Sequence, residues 1–246
     1  MKKLLICILC LASLEGFSQL RIGVQGSFSA LTYWQNNRYE GLDAAEFTMA
    51  KNGWQAGVFA EYDLGYSGLV LQPALMYATT GAHLGQSKGF VNQGTFVTGY
   101  SDTKLDINTI RLPVNLLYTY RINTKWKVFA GLGPFIAKNL SGTEKGYYKG
   151  YDNSTNNYVP GRYPINNKVH ISDAFSYNTL GKSNVSSLDA GMDIMMGVQW
   201  KKLQISANWT RGFIRQYHTT YVNMGNEDWN FTVGYVLFGH ERKPRL

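Results

Sequence analysis

Cysteine is almost missing from this chain: both residues, Cys7 and Cys10, fall within its first 18 positions. Those positions read as a secretory signal. Lys2 and Lys3 form the positive start, Leu4 to Leu14 the apolar core, and Gly16 and Ser18 the small residues before a cut ahead of Gln19. Ile6 and Leu9, standing just before the cysteines, argue against a lipid anchor. A chain starting at residue 19 is therefore expected to lack disulfides, thiolate metal sites and a cysteine nucleophile. Charge is also sparse, at 16% of residues. Without Lys2, Lys3 and Glu15 the 24 basic and 16 acidic residues become 22 and 15, a net charge of +7. Arg38, Lys51, Lys88, Lys145, Lys149, Arg162, Lys168 and Lys182 are scattered along the sequence rather than clustered with aromatics, which argues against a nucleic-acid partner. Mild attraction to anionic headgroups and sugars is the better reading. Long apolar runs are missing too, since no stretch after residue 18 reaches the roughly 20 residues of a membrane-spanning helix.

What the chain does have is Tyr, Trp, Phe and Gly, arranged with a period of two. Between Ser187 and Trp200, the residues Leu188, Ala190, Met192, Ile194, Met196, Val198 and Trp200 alternate with Asp189, Gly191, Asp193, Met195, Gly197 and Gln199. The same alternation sets Ile22, Val24, Phe28 and Ala30 against Gln25, Ser27 and Ser29. It also sets Trp54, Ala56, Val58, Ala60 and Tyr62 against Gln55, Gly57 and Glu61. Further strands are predicted at Gly68 to Thr79, Thr109 to Tyr120, Trp126 to Ala137, Leu203 to Phe213 and Asp228 to Phe238, which makes eight. Leu105 and Ile107 break the phase of the fourth main run, so a bulge is expected near Asn108 if that strand extends upstream.

The predicted links alternate in length. Asp63 to Ser67, Arg121 to Lys125 and the pair Lys201 and Lys202 are tight. Thr32 to Asn52, Thr80 to Asn108, Lys138 to Ser186 and Ile214 to Glu227 are long and polar. That rhythm predicts an all-β fold, an eight-stranded antiparallel up-and-down transmembrane β-barrel in the outer membrane, with both termini and the tight turns in the periplasm. Tyr62, Tyr120, Trp126 and Trp200 fall at the turn ends of their strands and Trp54, Tyr77 and Trp229 at the loop ends, as interfacial aromatics do. The organisation read from the sequence is a signal peptide at 1–18, a barrel at 19–239 and a polar tail at 240–246.

Several segments carry a family resemblance. Ile110-Arg-Leu-Pro-Val-Asn-Leu-Leu-Tyr, Phe129-Ala-Gly-Leu-Gly-Pro-Phe, the Asp189 to Gly197 run and the Leu203 to Gly212 run resemble strands of the PorT-like outer-membrane β-barrels of Bacteroidota. The resemblance implies a barrel with a part in protein export. It implies no chemistry. The chain departs from many barrels at its end, where Phe238 is followed by Gly239 and a polar tail rather than closing the sequence.

Two sets of residues stand out for function. Glu61, Arg111, Asp189 and Asp193 lie on the polar face and are expected to point into the lumen as a charge network, with Arg111 paired to one or more of the carboxylates. Leu188, Met192, Ile194 and Val198 form the least interrupted apolar stripe and are expected to face lipid. A charged residue in the middle of that stripe is expected to cost roughly 2–4 kcal/mol, and a serine in place of Gly191 to cost less. Lys138 to Ser186 is expected to be a surface loop with little packed core, on which Tyr147, Tyr148, Tyr151, Tyr158 and Tyr163 offer a sticky surface. His83, His170, His218 and His240, with Asp102 and Asp173 near some of them, have no spacing of a metal site or nucleophile arrangement. No catalytic, cofactor or metal residues are therefore predicted. The function expected is a non-catalytic outer-membrane component that binds membrane lipid and other envelope or secretion proteins. The alternatives are a small passive channel and an enzyme at the loop rim.

Overall fold

The computed structural model describes residues 20–37, 45–49, 51–65, 68–92, 95–149, 161–172, 184–214, 217–218 and 222–239. The signal peptide and the polar tail lie outside them. The elements are β1 (Leu20–Asn37), β2 (Ala45–Met49), β3 (Lys51–Asp63), β4 (Leu69–Asn92), β5 (Thr95–Arg121) and β6 (Trp126–Lys149). They continue as β7 (Arg162–Ser172), β8 (Asn184–Ser186), β9 (Leu188–Trp200), β10 (Leu203–Gly212), β11 (Tyr217–His218) and β12 (Val222–Phe238).

Eight of these close an antiparallel ring in the order β1, β3, β4, β5, β6, β9, β10 and β12, with β12 returning to β1. They are the eight strands that the alternation marks out. Closure satisfies every strand edge, which is what a sheet surrounded by hydrocarbon requires. Turn chemistry sets the tight ends. The Asn123 carboxamide oxygen accepts from the backbone amides of Lys125 and Trp126 at 2.8 and 2.9 Å. In the two-residue turn, Lys201 takes a left-handed φ of 52°, the backbone twist that suits so short a hairpin.

In the ring most large apolar residues face outward. Phe231 is 65% exposed and Met196 63%, while their neighbours Thr232 and Met195 are buried. A soluble barrel would show the reverse.

The long links are not loops throughout, and here the structure corrects the sequence reading. β4 and β5 run past Thr79 and Thr109 as one hairpin paired from Leu69 with Tyr118 up to Asn92 with Thr95. β6 likewise continues to Lys149 and pairs with β7, which pairs in parallel with β8. β11 then links β8 to β12. Above the ring, β7, β8 and β11 thus take the place of β9 and β10, and the strands rise into a wall. Lys138 to Ser186 does supply packed core: Val169 and Val185 join Leu105 and Ile107 in a buried cluster, with Ile171 against it. The sequence reading failed because it assigned apolar residues to the outer face everywhere. The bulge expected in this strand near Asn108 lies instead in its partner β6. Register shifts between Asn108 and Thr109, and the residue skipped opposite them is Leu140 in β6, so Leu105 and Ile107 keep the inward phase of Thr109 and Arg111.

Candidate functional site

Inward residues fill the lumen in layers. At the turn end, the Arg21 guanidinium meets the Glu61 carboxylate at 2.6 Å, and the Gln72 amide donates to the other Glu61 oxygen at 3.1 Å. Gln204 donates to that same oxygen. Higher up, Arg111 pairs with Asp193 and donates to the Thr210 hydroxyl at 3.0 Å, while Thr210 donates to Asp193 at 2.7 Å. The wholly buried Asp228 carboxylate stands 4.0 Å from Arg111 on its other side. The guanidinium also lies 3.9 Å above the Phe135 ring, a cation over an aromatic face. Between the layers, Gln55 donates to Asn230 at 2.7 Å, and Ser27 and Thr232 share a hydrogen bond of 2.8 Å.

The four charged residues singled out from the sequence are all buried, but they do not form one network. Glu61 belongs to Arg21, and Arg111 belongs to Asp193 and Asp228. Asp189 lies over Gly212, where an added Cβ would stand 2.8 Å from its Oδ1. Sequence reasoning missed Arg21 and Asp228 because each sits at the end of a predicted strand, where phase is least constrained. Leu188, Met192, Ile194 and Val198 are all exposed on the outer surface.

Aromatics in the lumen were also missed. Phe59, Phe129 and Phe135 are buried, and each lies across from a glycine in register: Gly23, Gly197 and Gly191 respectively. A Cβ built on those glycines would come within 2.4, 2.6 and 2.5 Å of the facing ring. The signal was available as a glycine on the inward phase opposite an unassigned phenylalanine. The same closeness bears on Gly191. A serine there meets Phe135 and the backbone oxygen of Arg211, which a Cβ would approach to 2.0 Å. A polar cavity of about 30 Å³ remains, bordered by Gln25, Asn115, Arg111 and Asn208. It is large enough for about two waters. Oδ1 of Asn115 and of Asn208 have no protein partner within it.

On the wall, His83 contacts Asp102 and Lys51 contacts Asp106. Tyr100 and Tyr147 rings are 6.3 Å apart, and the Arg162 guanidinium lies 3.6 Å over Tyr147. Desolvation, then the Asp102 carboxylate and the Tyr147 phenol, push the Tyr100 phenol above its ordinary pKa. Tyr151, Tyr158, Asp173 and His240 lie outside the described residues, and the side chains of Tyr148, Tyr163, His170 and His218 are not described. Among the described residues, no three His, Cys, Asp or Glu side chains gather as metal ligands.

Residues 13–217 match the family model described as outer membrane protein beta-barrel domain. No curated protein sequence matches the chain. Among solved structures, Ail, the attachment invasion locus protein of Yersinia pestis, aligns at 10% identity and a TM-score of 0.34, covering 89% of this chain and 99% of that one. Neisserial surface protein A aligns at 10% identity and a TM-score of 0.38, covering 88% and 97%. The translocator domain of autotransporter NalP from Neisseria meningitidis aligns at 13% identity and a TM-score of 0.25, covering 96% and 94%.

Proposed function

Because this chain belongs to the outer membrane protein beta-barrel domain family and resides in the outer membrane, we propose that it is a non-catalytic component that engages other envelope or secretion proteins through its wall. The observation that carries this reading is the wall itself. Its strands continue far beyond what a membrane crossing needs, and its inward cluster of Leu105, Ile107, Val169 and Val185 gives it packing of its own. A rigid projecting surface suits recognition of a partner better than passage of a solute.

The finer parts of the reading follow from it. The mature chain begins after residue 18, the termini and tight turns face the periplasm, and the wall faces outward. Leu188, Met192, Ile194 and Val198 contact lipid. The pairs of Arg21 with Glu61 and of Arg111 with Asp193 hold the lumen shut, because an eight-stranded barrel has room for side chains but not for a water channel. The strand motifs named above favour a PorT-like role in protein export in a member of Bacteroidota.

Deletion of the gene tests the export role. The expected result is loss of a set of secreted proteins from the medium, restored by the full chain and not by a form with β5 to β7 shortened to the membrane band. An unchanged secretome would overturn it. Planar-bilayer recording of the purified barrel is expected to show no steady conductance, and a stable ion-selective current would favour the channel.

A further inference from the structure

Basic residues that the sequence scatters over many positions converge on one face of the wall. Register places Lys104 of β5 directly opposite Lys145 of β6, and Lys149 of β6 opposite Arg162 of β7. Lys168 of β7 faces Thr143, two residues below Lys145. All five side chains are exposed on the outer face. Like charges placed opposite one another across a sheet repel, so each of these pairs, four residues apart along β6, is suited to an anion between its two members.

Among the described residues, the two carboxylates on this face, Asp102 and Asp106, form no ion pair with the five basic side chains. Asp102 is engaged by His83 and Asp106 by Lys51. Among the described residues, Lys104, Lys145, Lys149 and Lys168 have no ion-pair partner. Glu144 sits on the opposite phase, across from the inward Leu105.

Height above the membrane selects the kind of anion. Lys138 is paired with Ile110 and Leu188 at the upper rim of the outward apolar band. From there to Lys145 the strand climbs roughly 20 Å at about 3.3 Å per residue, or about 15 Å of height at a tilt near 40°. That is the level of sugar headgroups. Tyr147, with Arg162 stacked on its ring and Tyr100 beside it, adds aromatic surface suited to the apolar face of a sugar. We propose that the outward face of β5, β6 and β7 binds phosphorylated saccharide headgroups of the outer leaflet.

The test uses the full mature chain in detergent micelles, titrated by fluorescence polarisation with labelled bisphosphorylated lipid A and with the same glycolipid after dephosphorylation. The triple variant Lys104→Gln, Lys145→Gln, Lys168→Gln is expected to bind the phosphorylated probe at least tenfold more weakly. A turn-end variant, Lys125→Gln, Lys201→Gln, Lys202→Gln, is expected to stay within twofold of the parent. Heat-modifiable gel migration verifies that each variant is a closed barrel. The parent is expected to lose at least tenfold on dephosphorylation of the probe. Equal weakening by both variants, or a parent indifferent to the phosphates, would overturn the proposal. So would displacement of the probe by poly-glutamate more readily than by unlabelled lipid A, which would point to an acidic peptide.

Discussion

Strand β5 carries two opposite chemical patterns along one unbroken alternation. Between Ile110 and Tyr120 its outward residues are apolar, with Ile110, Leu112, Leu116, Tyr118 and Tyr120 exposed, while Arg111 and Asn115 are buried. Between Tyr100 and Asn108 the outward residues include Asp102, Lys104 and Asp106, and Leu105 and Ile107 are buried inside. Nothing in the backbone changes phase within β5. What changes is the solvent outside, from hydrocarbon to water, and the hydrophobic effect then selects opposite faces. The band keeps its polar groups inside by pairing them with one another. The wall behaves as the rim of a soluble protein.

Substitutions placed in the two regions should therefore have different consequences. The largest effect is expected from Arg111→Met, which leaves Asp193 and Asp228 buried without their cation at a cost of about 3–5 kcal/mol. Urea unfolding in micelles measures it. Asp193→Asn in that background should recover part of the loss, and absence of any recovery would separate Arg111 from its carboxylates. Next comes Ile194→Arg at the middle of the band, expected to cost about 2–4 kcal/mol in a bilayer. The same arginine at Thr143, outward on the wall, should be tolerated, so equal costs at the two sites would erase the distinction between the regions.

Ile107→Ala opens the packed cluster of the wall and should cost roughly 2–3 kcal/mol, toward the low end for a buried isoleucine because the cluster is small. Its signature is local: faster hydrogen exchange in β5, β7 and β8 with the band still protected. Loss of protection around the whole ring would mean that band and wall unfold as one unit. The smallest effect is expected for Lys104→Leu, within about 0.5 kcal/mol as for most surface positions.

The same contrast explains what was legible in the sequence. Membrane strands such as β9 could be read because Leu188, Met192, Ile194 and Val198 form a stripe against Gly191, Asp193 and Gly197, with tight turns fixing one end of each hairpin. Wall strands were read as loops because Lys104, Leu105, Asp106 and Ile107 alternate with the opposite sense, and that sense looks like a break when apolar is taken to mean outward. Depth in the lumen was harder still. Glu61 and Arg111 could be placed on the inward face, but alternation along a strand fixes only a side of the sheet, and which charges meet depends on the height of each strand around the ring. The partnership of Phe59 with Gly23 was hidden for the same reason, since strand register rather than composition brings them together.

The pairing of β1 with β12 also bears on how the barrel forms. That seam joins the two ends of the chain from Ile22 opposite Phe238 up to Asn37 opposite Val222. Every other contact in the ring links strands nearer in sequence, so neighbouring hairpins close smaller loops, whereas the seam encloses the whole barrel. Such closure carries the greatest loop entropy of any contact in the fold and is slow by its topology. Until it happens, β1 and β12 each present a bare edge with hydrogen-bonding groups that lipid cannot satisfy. β1 must therefore wait, held apart from other edges, for β12.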